Sequence, residues 1–211
     1  MAKRKPPPRR PRAQAGGTGD GWLWGLLGLI GGAVLFGGRR DAAAPAPDVR
    51  QIMLGMIRRF RTDNRIRWFV GQLVQDLDPA DHLAKVERIF RFVADRILFL
   101  DDPGGEHVAE PVDVLQTMVG DCDCKATLLA TLLEAAGLST QLIFIPGHVF
   151  VEVQLDNAYR ARLPMDCKFR LEGQGFWVPL ESTGNGNPMG WINEQRWNAA
   201  LAAGAATALR V

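Results

Sequence analysis

The chain changes its hydrophobic period once, close to Gly137, and that change restricts its fold more than any other feature. Upstream, apolar residues recur every three to four positions. The first set is Val49, Ile52, Met53, Met56, Ile57 and Phe60, the second Ile66, Val70, Leu73 and Leu77, the third Leu83, Val86, Phe90, Val93 and Ile97. This spacing predicts three helices, each with one buried face, and the methionines fill core space without needing a cofactor. Asp78-Pro79 is expected to start the third helix, as a cap followed by proline at the first helical position. Asp101 to Gly105 reads as a turn, and Asp121 as the N-cap of a helix from Cys122 to Ala136 that Gly137 ends. Downstream the period falls to two. Gln141 to Ile145 and His148 to Leu155 read as strands, the second strictly alternating, with Asp156-Asn157 as a turn and further strands at Leu163 to Asp166 and Phe176 to Glu181. Helices first and strands afterwards describe an α+β fold with an antiparallel sheet.

The N-terminal end is of another kind. Residues 1–20 carry six Lys and Arg among Pro and Gly and lack apolar periodicity, so they are expected to be a disordered basic arm. Gly21 to Gly38 is a run of eighteen uncharged residues, eleven apolar and seven Gly, closed by Arg39 and Arg40. It reads as a single transmembrane helix of marginal length, residues 39–48 as a linker and 49–211 as the folded domain. Gly28 and Gly32 have the spacing that lets two such helices approach, a weak signal for self-association. A cleaved signal peptide is the rival, but proline follows both candidate sites around Ala42-Ala43-Ala44. The surrounding charges favour a cytoplasmic N-terminus and a folded domain outside.

Charge excludes one class of function. Residues 1–40 hold eight basic residues and one acid, so of 25 basic and 23 acidic residues overall, 17 and 22 remain for the body. A negative body does not suit nucleic acid, whose phosphates need clustered Lys and Arg. Neither Ser139 nor Ser182 lies in a Gly-x-Ser-x-Gly elbow, and no phosphate-binding glycine loop is present, so no cofactor is expected.

Three cysteines, Cys122, Cys124 and Cys167, are too few and odd in number for a disulfide framework. Cys122 falls in the first turn of its helix, where free N–H groups and the helix dipole stabilise a thiolate. It also starts the stripe Cys122, Ala126, Leu129 and Leu133, expected to pack on the sheet. A zinc set of Cys122, Cys124, His148 and Cys167 is disfavoured, because Cys-x-Cys side chains diverge on a helix; no metal is expected. His148 shares a strand face with Phe150, Glu152 and Gln154, while Val149, Val151, Val153 and Leu155 take the core face. A helix-start cysteine followed by a strand histidine and a later acid is an order from which a catalytic triad can be assembled. His82 and His107 lack such context and read as surface residues, as does Gln116.

The motifs Gly120-Asp121-Cys122-Asp123-Cys124-Lys125-Ala126, Gly147-His148-Val149-Phe150-Val151-Glu152-Val153 and Trp177-Val178-Pro179-Leu180-Glu181-Ser182-Thr183 resemble the transglutaminase-like cysteine-enzyme superfamily. The resemblance spans roughly residues 80–205. It implies a papain-like core acting on an amide or peptide bond of a protein or peptide substrate through a thioester, by hydrolysis or acyl transfer. Residue by residue, Cys122 becomes the nucleophile, His148 the base and Glu181 the third member. Cys124 stands where the family commonly has an acid, and Glu181 where Asp is commoner. Asp166 competes with Glu181, since a tight hairpin centred on Asn157 would set it opposite His148; the Trp177-Val178-Pro179-Leu180 context favours Glu181. The alternative function is a non-catalytic, membrane-tethered binding or structural module of an envelope or virus particle.

Overall fold

A computed structural model describes residues 48–101 and 107–211. The expected arm, membrane helix and nearly all of the linker lie outside the described residues, as does most of the turn after Asp101.

Three helices open the described chain, each with an aspartate cap. Asp48 accepts the Arg50 N–H ahead of α1 (Val49–Phe60), and Asp63 the Arg65 N–H ahead of α2 (Asn64–Leu73). α3 (His82–Arg96) begins three residues later than the proline suggested. Its cap is Asp81, which accepts the Ala84 N–H at 3.1 Å, while the Asp78 carboxylate is taken by the Ala80 N–H in the preceding turn. The apolar faces are as read, with Met53, Ile57, Phe60, Ile66, Val70, Val86, Phe90 and Val93 all buried.

Between α3 and the central helix lie elements too short to show a period. β1 (Leu98–Phe99) pairs in parallel with β2 (Val119–Gly120), and α4 (Pro111–Thr117) sits between them, ending at Met118 in the left-handed region. α5 (Cys122–Ala135) then runs through the middle of the molecule, with α1, α2, α3 and α4 against it on the helical side and β3 and β4 on the other. Every residue from Asp123 to Leu133 is buried. The expected single stripe is therefore only part of its buried surface. A central position requires a mostly apolar helix, and Asp123, Lys125, Thr127 and Thr131 are the polar residues that this one buries.

The sheet is antiparallel throughout, in the order β5-β6-β4-β3-β7. β3 (Thr140–Ile145) turns at Pro146-Gly147 into β4 (His148–Asp156), with Ile145 opposite His148. β6 (Gly175–Leu180) pairs with the other edge of β4, Val151 opposite Leu180, and β5 (Arg170–Glu172) and β7 (Thr207–Arg210) form the outer strands. The strand expected at 163–166 is absent. A 3-10 helix (Asn157–Arg162), capped by Asp156, turns the chain away, and Pro164 has no N–H for a ladder. Val149, Val151, Val153 and Leu155 enter the core as read. The opposite face is covered too, by α6 (Glu194–Ala202), whose Trp197 meets Phe150 edge-on at 5.9 Å. The chain reaches α6 through Gly190 (φ +83°), where a Cβ would strike the Cys167 sulfur and the Lys168 backbone. Among the described residues no helix is long and apolar enough to cross a membrane.

Candidate functional site

The Gly-Asp-Cys step joins β2 to α5. A Cβ on Gly120 would come within 2.9 Å of the Cys124 Cβ, so glycine is what lets the strand close on the helix. Asp121 caps the helix by accepting the Cys124 N–H at 3.1 Å. Cys122, the first helical residue, is half-buried, and the Val149 N–H points at its sulfur. The sulfur thus lies against the strand residue that follows His148.

The thiol is not acidic. Burial first, then the carboxyl groups of Asp121 and Asp123, push it up to about 11, against the pull of the Val149 and Asp123 N–H groups. The thiolate stabilisation expected from the helix start is outweighed, because the sulfur is half-buried and two acids share its turn.

His148 begins β4, and its Nε2 lies 2.5 Å from Glu181 Oε2. Glu181 is the residue after β6, and the β4–β6 pairing brings it level with the start of β4. Its Oε1 accepts the Thr183 N–H at 3.0 Å and the Thr183 hydroxyl at 2.5 Å. Burial would raise this carboxyl, but the bond and charge of His148 and the two Thr183 bonds outweigh it and hold the group below the usual carboxylate range. With Nε2 engaged by Glu181, Nδ1 is the ring nitrogen left for a thiol or substrate. Asp166 is elsewhere. β4 has β6 as its partner instead of a hairpin centred on Asn157, and Asp166 is exposed in a loop.

Sequence reasoning missed three contributors. Thr183 holds Glu181, and the acid-x-Thr spacing was its signal. Lys125, 1% exposed, donates to the carbonyls of Ile97 at 2.7 Å and Ala94 at 3.3 Å, tying α5 to the C-terminal end of α3. Burial lowers it to about 8, although Asp95 and Glu181 act to raise it. A lysine inside an otherwise buried run was the visible sign. Asp123 is the third: neither oxygen of its buried carboxyl has a hydrogen bond of ordinary length and angle, and besides the Cys124 thiol and N–H its neighbour is the carboxyl of Asp121. Burial and that neighbour raise Asp123 to about 7, while Asp121 is lowered, so the two acids hold one proton between them.

Asp121, Asp123 and Cys124 bring potential metal ligands within 4.8 Å of one another. Their position at the positive end of α5 disfavours a cation, and Cys124 is already engaged. Its sulfur accepts the Ala109 N–H at 3.2 Å and faces the His107 carbonyl at 3.5 Å, with burial pushing the thiol far up. The four-residue zinc set does not assemble. His82, His107 and Gln116 are exposed, as read.

A helix-start cysteine, a strand histidine and an adjacent buried carboxylate, in an α+β frame, describe a protein of the cysteine–histidine–acid kind. The profile of the Transglutaminase-like superfamily matches residues 71–181, more than half of the chain. The chain belongs to that superfamily. A solved structure of a presumed protease from Parabacteroides distasonis is similar to it at 17% identity with a TM-score of 0.40. That likeness covers 65% of this chain and 30% of the other, so the chain spans less than a third of that protein's length. No curated protein matches the chain.

Proposed function

We propose that the protein is a thiol enzyme acting on an amide or peptide bond through a thioester, with Cys122 as nucleophile, His148 as base and Glu181 as the orienting acid. What carries the reading is the part-buried 2.5 Å contact between His148 Nε2 and Glu181 Oε2, on a strand whose next N–H acts on the Cys122 thiol. The sulfur attacks the carbonyl carbon as its proton passes to His148 Nδ1, and the carbonyl electron pair moves onto oxygen. The Cys122 N–H, unused within the helix, is a donor for that oxyanion. On collapse the C–N bond breaks and the leaving amine takes the proton from His148. Water or a second amine then attacks the thioester, gives its proton to the ring, and releases Cys122 as the thiol. Hydrolysis and acyl transfer differ only in that last nucleophile.

The test uses p-nitrophenyl acetate on the full chain in detergent, with intact-mass measurement and peptide mapping. Stable acetylation at Cys122, lost in Cys122→Ala and strongly slowed in His148→Ala, is expected. Acetylation of Cys124 or Cys167 ahead of Cys122 would overturn the assignment. One observation favours the second reading, a binding module that keeps the fold without turnover: the thiol is pushed up to about 11. That reading predicts no preference for Cys122 and no effect of His148→Ala. We further propose a membrane anchor at residues 21–38 and a folded domain outside the cytoplasm, readings that rest only on the apolar run and on the charges that flank it in the sequence.

A further inference from the structure

His148 separates two kinds of surface. A cleft of about 220 Å³ is lined by His148, Glu181, Phe150, Trp191 and Trp197 among others, and Cys122 is not in its wall. Across Phe150, Ile192 and Trp197, which form walls of both, a second cleft of about 550 Å³ continues along α6 to Leu201, with Lys168 and Arg170 on its far side. Taken together the two make a groove that begins at the histidine, and Cys122 lines neither part.

The chemistry of the proposed reaction gives that direction a meaning. The acyl part of the substrate stays on the sulfur, while the amine that leaves, or the amine that enters in transfer, exchanges its proton with His148. The groove is therefore on the amine side of the bond. We propose that it binds a polypeptide: several residues following the scissile bond in hydrolysis, or the N-terminal residues of a peptide acceptor in transfer. The observations that carry this are its form and its walls. His148 to Phe150 is 6.4 Å and Phe150 to Trp197 5.9 Å between ring centres, and Trp197 to Leu201 is about 6 Å along the helix; at about 3.3 Å per residue of extended chain, that path takes up to about five residues. Trp191 is 39% and Leu201 52% exposed, apolar surface left open along the path. At the rim the cations Lys168 and Arg170 are balanced by ion pairs with Glu194 and Glu152, which suits a peptide main chain better than a charged small amine. A leaving ammonia would need none of this, so in hydrolysis the groove argues against a primary-amide substrate; in transfer a primary amide is compatible with it, because the peptide acceptor then fills the groove.

The inference rests on the thioester reading, and one experiment separates the two. The full chain is acetylated with p-nitrophenyl acetate, and loss of the acetyl group from Cys122 is followed by mass with glycinamide or with an apolar tetrapeptide amide as the added amine. The expected result is a saturable rate with the tetrapeptide at least tenfold above that with glycinamide at equal concentration, and a ratio reduced severalfold in Leu201→Asp and in Trp197→Ala. Leu201 is half exposed, so that variant reports even where loss of Trp197 disturbs packing. If glycinamide and the tetrapeptide act equally, or if Leu201→Asp leaves their ratio unchanged, the groove is not an amine-side peptide site. Saturable protection of the acetyl group by the tetrapeptide without transfer places the peptide on the leaving side of a hydrolase. If Cys122 takes no acetyl group, the thioester reading itself falls and the groove assignment falls with it.

Discussion

At the scale of single residues, the site sets orientation against acidity. Glu181 and Thr183 fix the imidazole, yet burial and the neighbouring carboxyls outweigh the Val149 and Asp123 N–H groups at the thiol, which stays protonated with a value of about 11. In the proposed reaction, proton transfer to His148 would then accompany attack rather than precede it. Alkylation of Cys122 by iodoacetamide should be slow at pH 5 and rise close to tenfold per unit through pH 8, because the thiolate fraction grows tenfold per unit below its acid constant. A flat rate from pH 5 upwards would mean a preformed thiolate–imidazolium pair. Loss of orientation has its own signature. Glu181→Gln should lower kcat for thioester formation by about 10²–10⁴ with the protein still folded. Thr183→Val, which removes the hydroxyl bond but keeps the N–H bond to the same carboxylate oxygen, should cost about tenfold, on the order of 1 kcal/mol.

At the scale of elements, the first turn of α5 carries most of the stress. Asp123 is an acid with a value of about 7 in the folded chain against 3.8 unexposed to these neighbours. Between those values the folded state holds a proton that the unfolded state lacks, so this group's stabilisation falls as pH rises from about 4 to about 7, by at most ~1.4 kcal/mol per unit. Urea unfolding of wild type and Asp123→Asn should therefore diverge, the variant gaining relative stability between pH 5 and pH 7.5. Parallel curves would show that the acid pair does not share a proton. The strand before the turn is just as confined. Gly120→Ala must push apart backbone-linked carbons at 2.9 Å, and should destabilise by roughly 1–3 kcal/mol in the same assay. These features escaped the sequence for a physical reason: β1 and β2 have two residues each, and α4 seven, less than is needed to display a period.

For the whole molecule, the proposed anchor sets how the chain should fractionate. If residues 21–38 span a membrane, the chain should resist carbonate and high salt and dissolve only in detergent, whereas a chain held by its basic arm would leave with salt. Protease added to intact spheroplasts should digest the folded part and leave a short N-terminal fragment. Protection of residues 49–211 until lysis would reverse the orientation, and full-length chain in the soluble fraction would remove the anchor.

Much of the architecture was legible because hydrophobic patterning is a local property. The periods of α1, α2 and α3, the Asp121 cap, the alternation of β4 and the order of helices before strands can all be read within a few residues of each position. The candidate site was legible in the same sense, as residue types at motif positions. What the sequence could not determine is anything that depends on which segments meet. The choice of Glu181 over Asp166 beside His148 follows from β4 pairing with β6 after a 3-10 turn, instead of folding back on itself at Asn157. The burial of α5 on every side follows from helices and sheet closing on it together. The acidity of Cys122 was decided the same way: the helix start alone favours a thiolate, and only the packed molecule, by excluding water and crowding two carboxyl groups against the sulfur, reverses that preference.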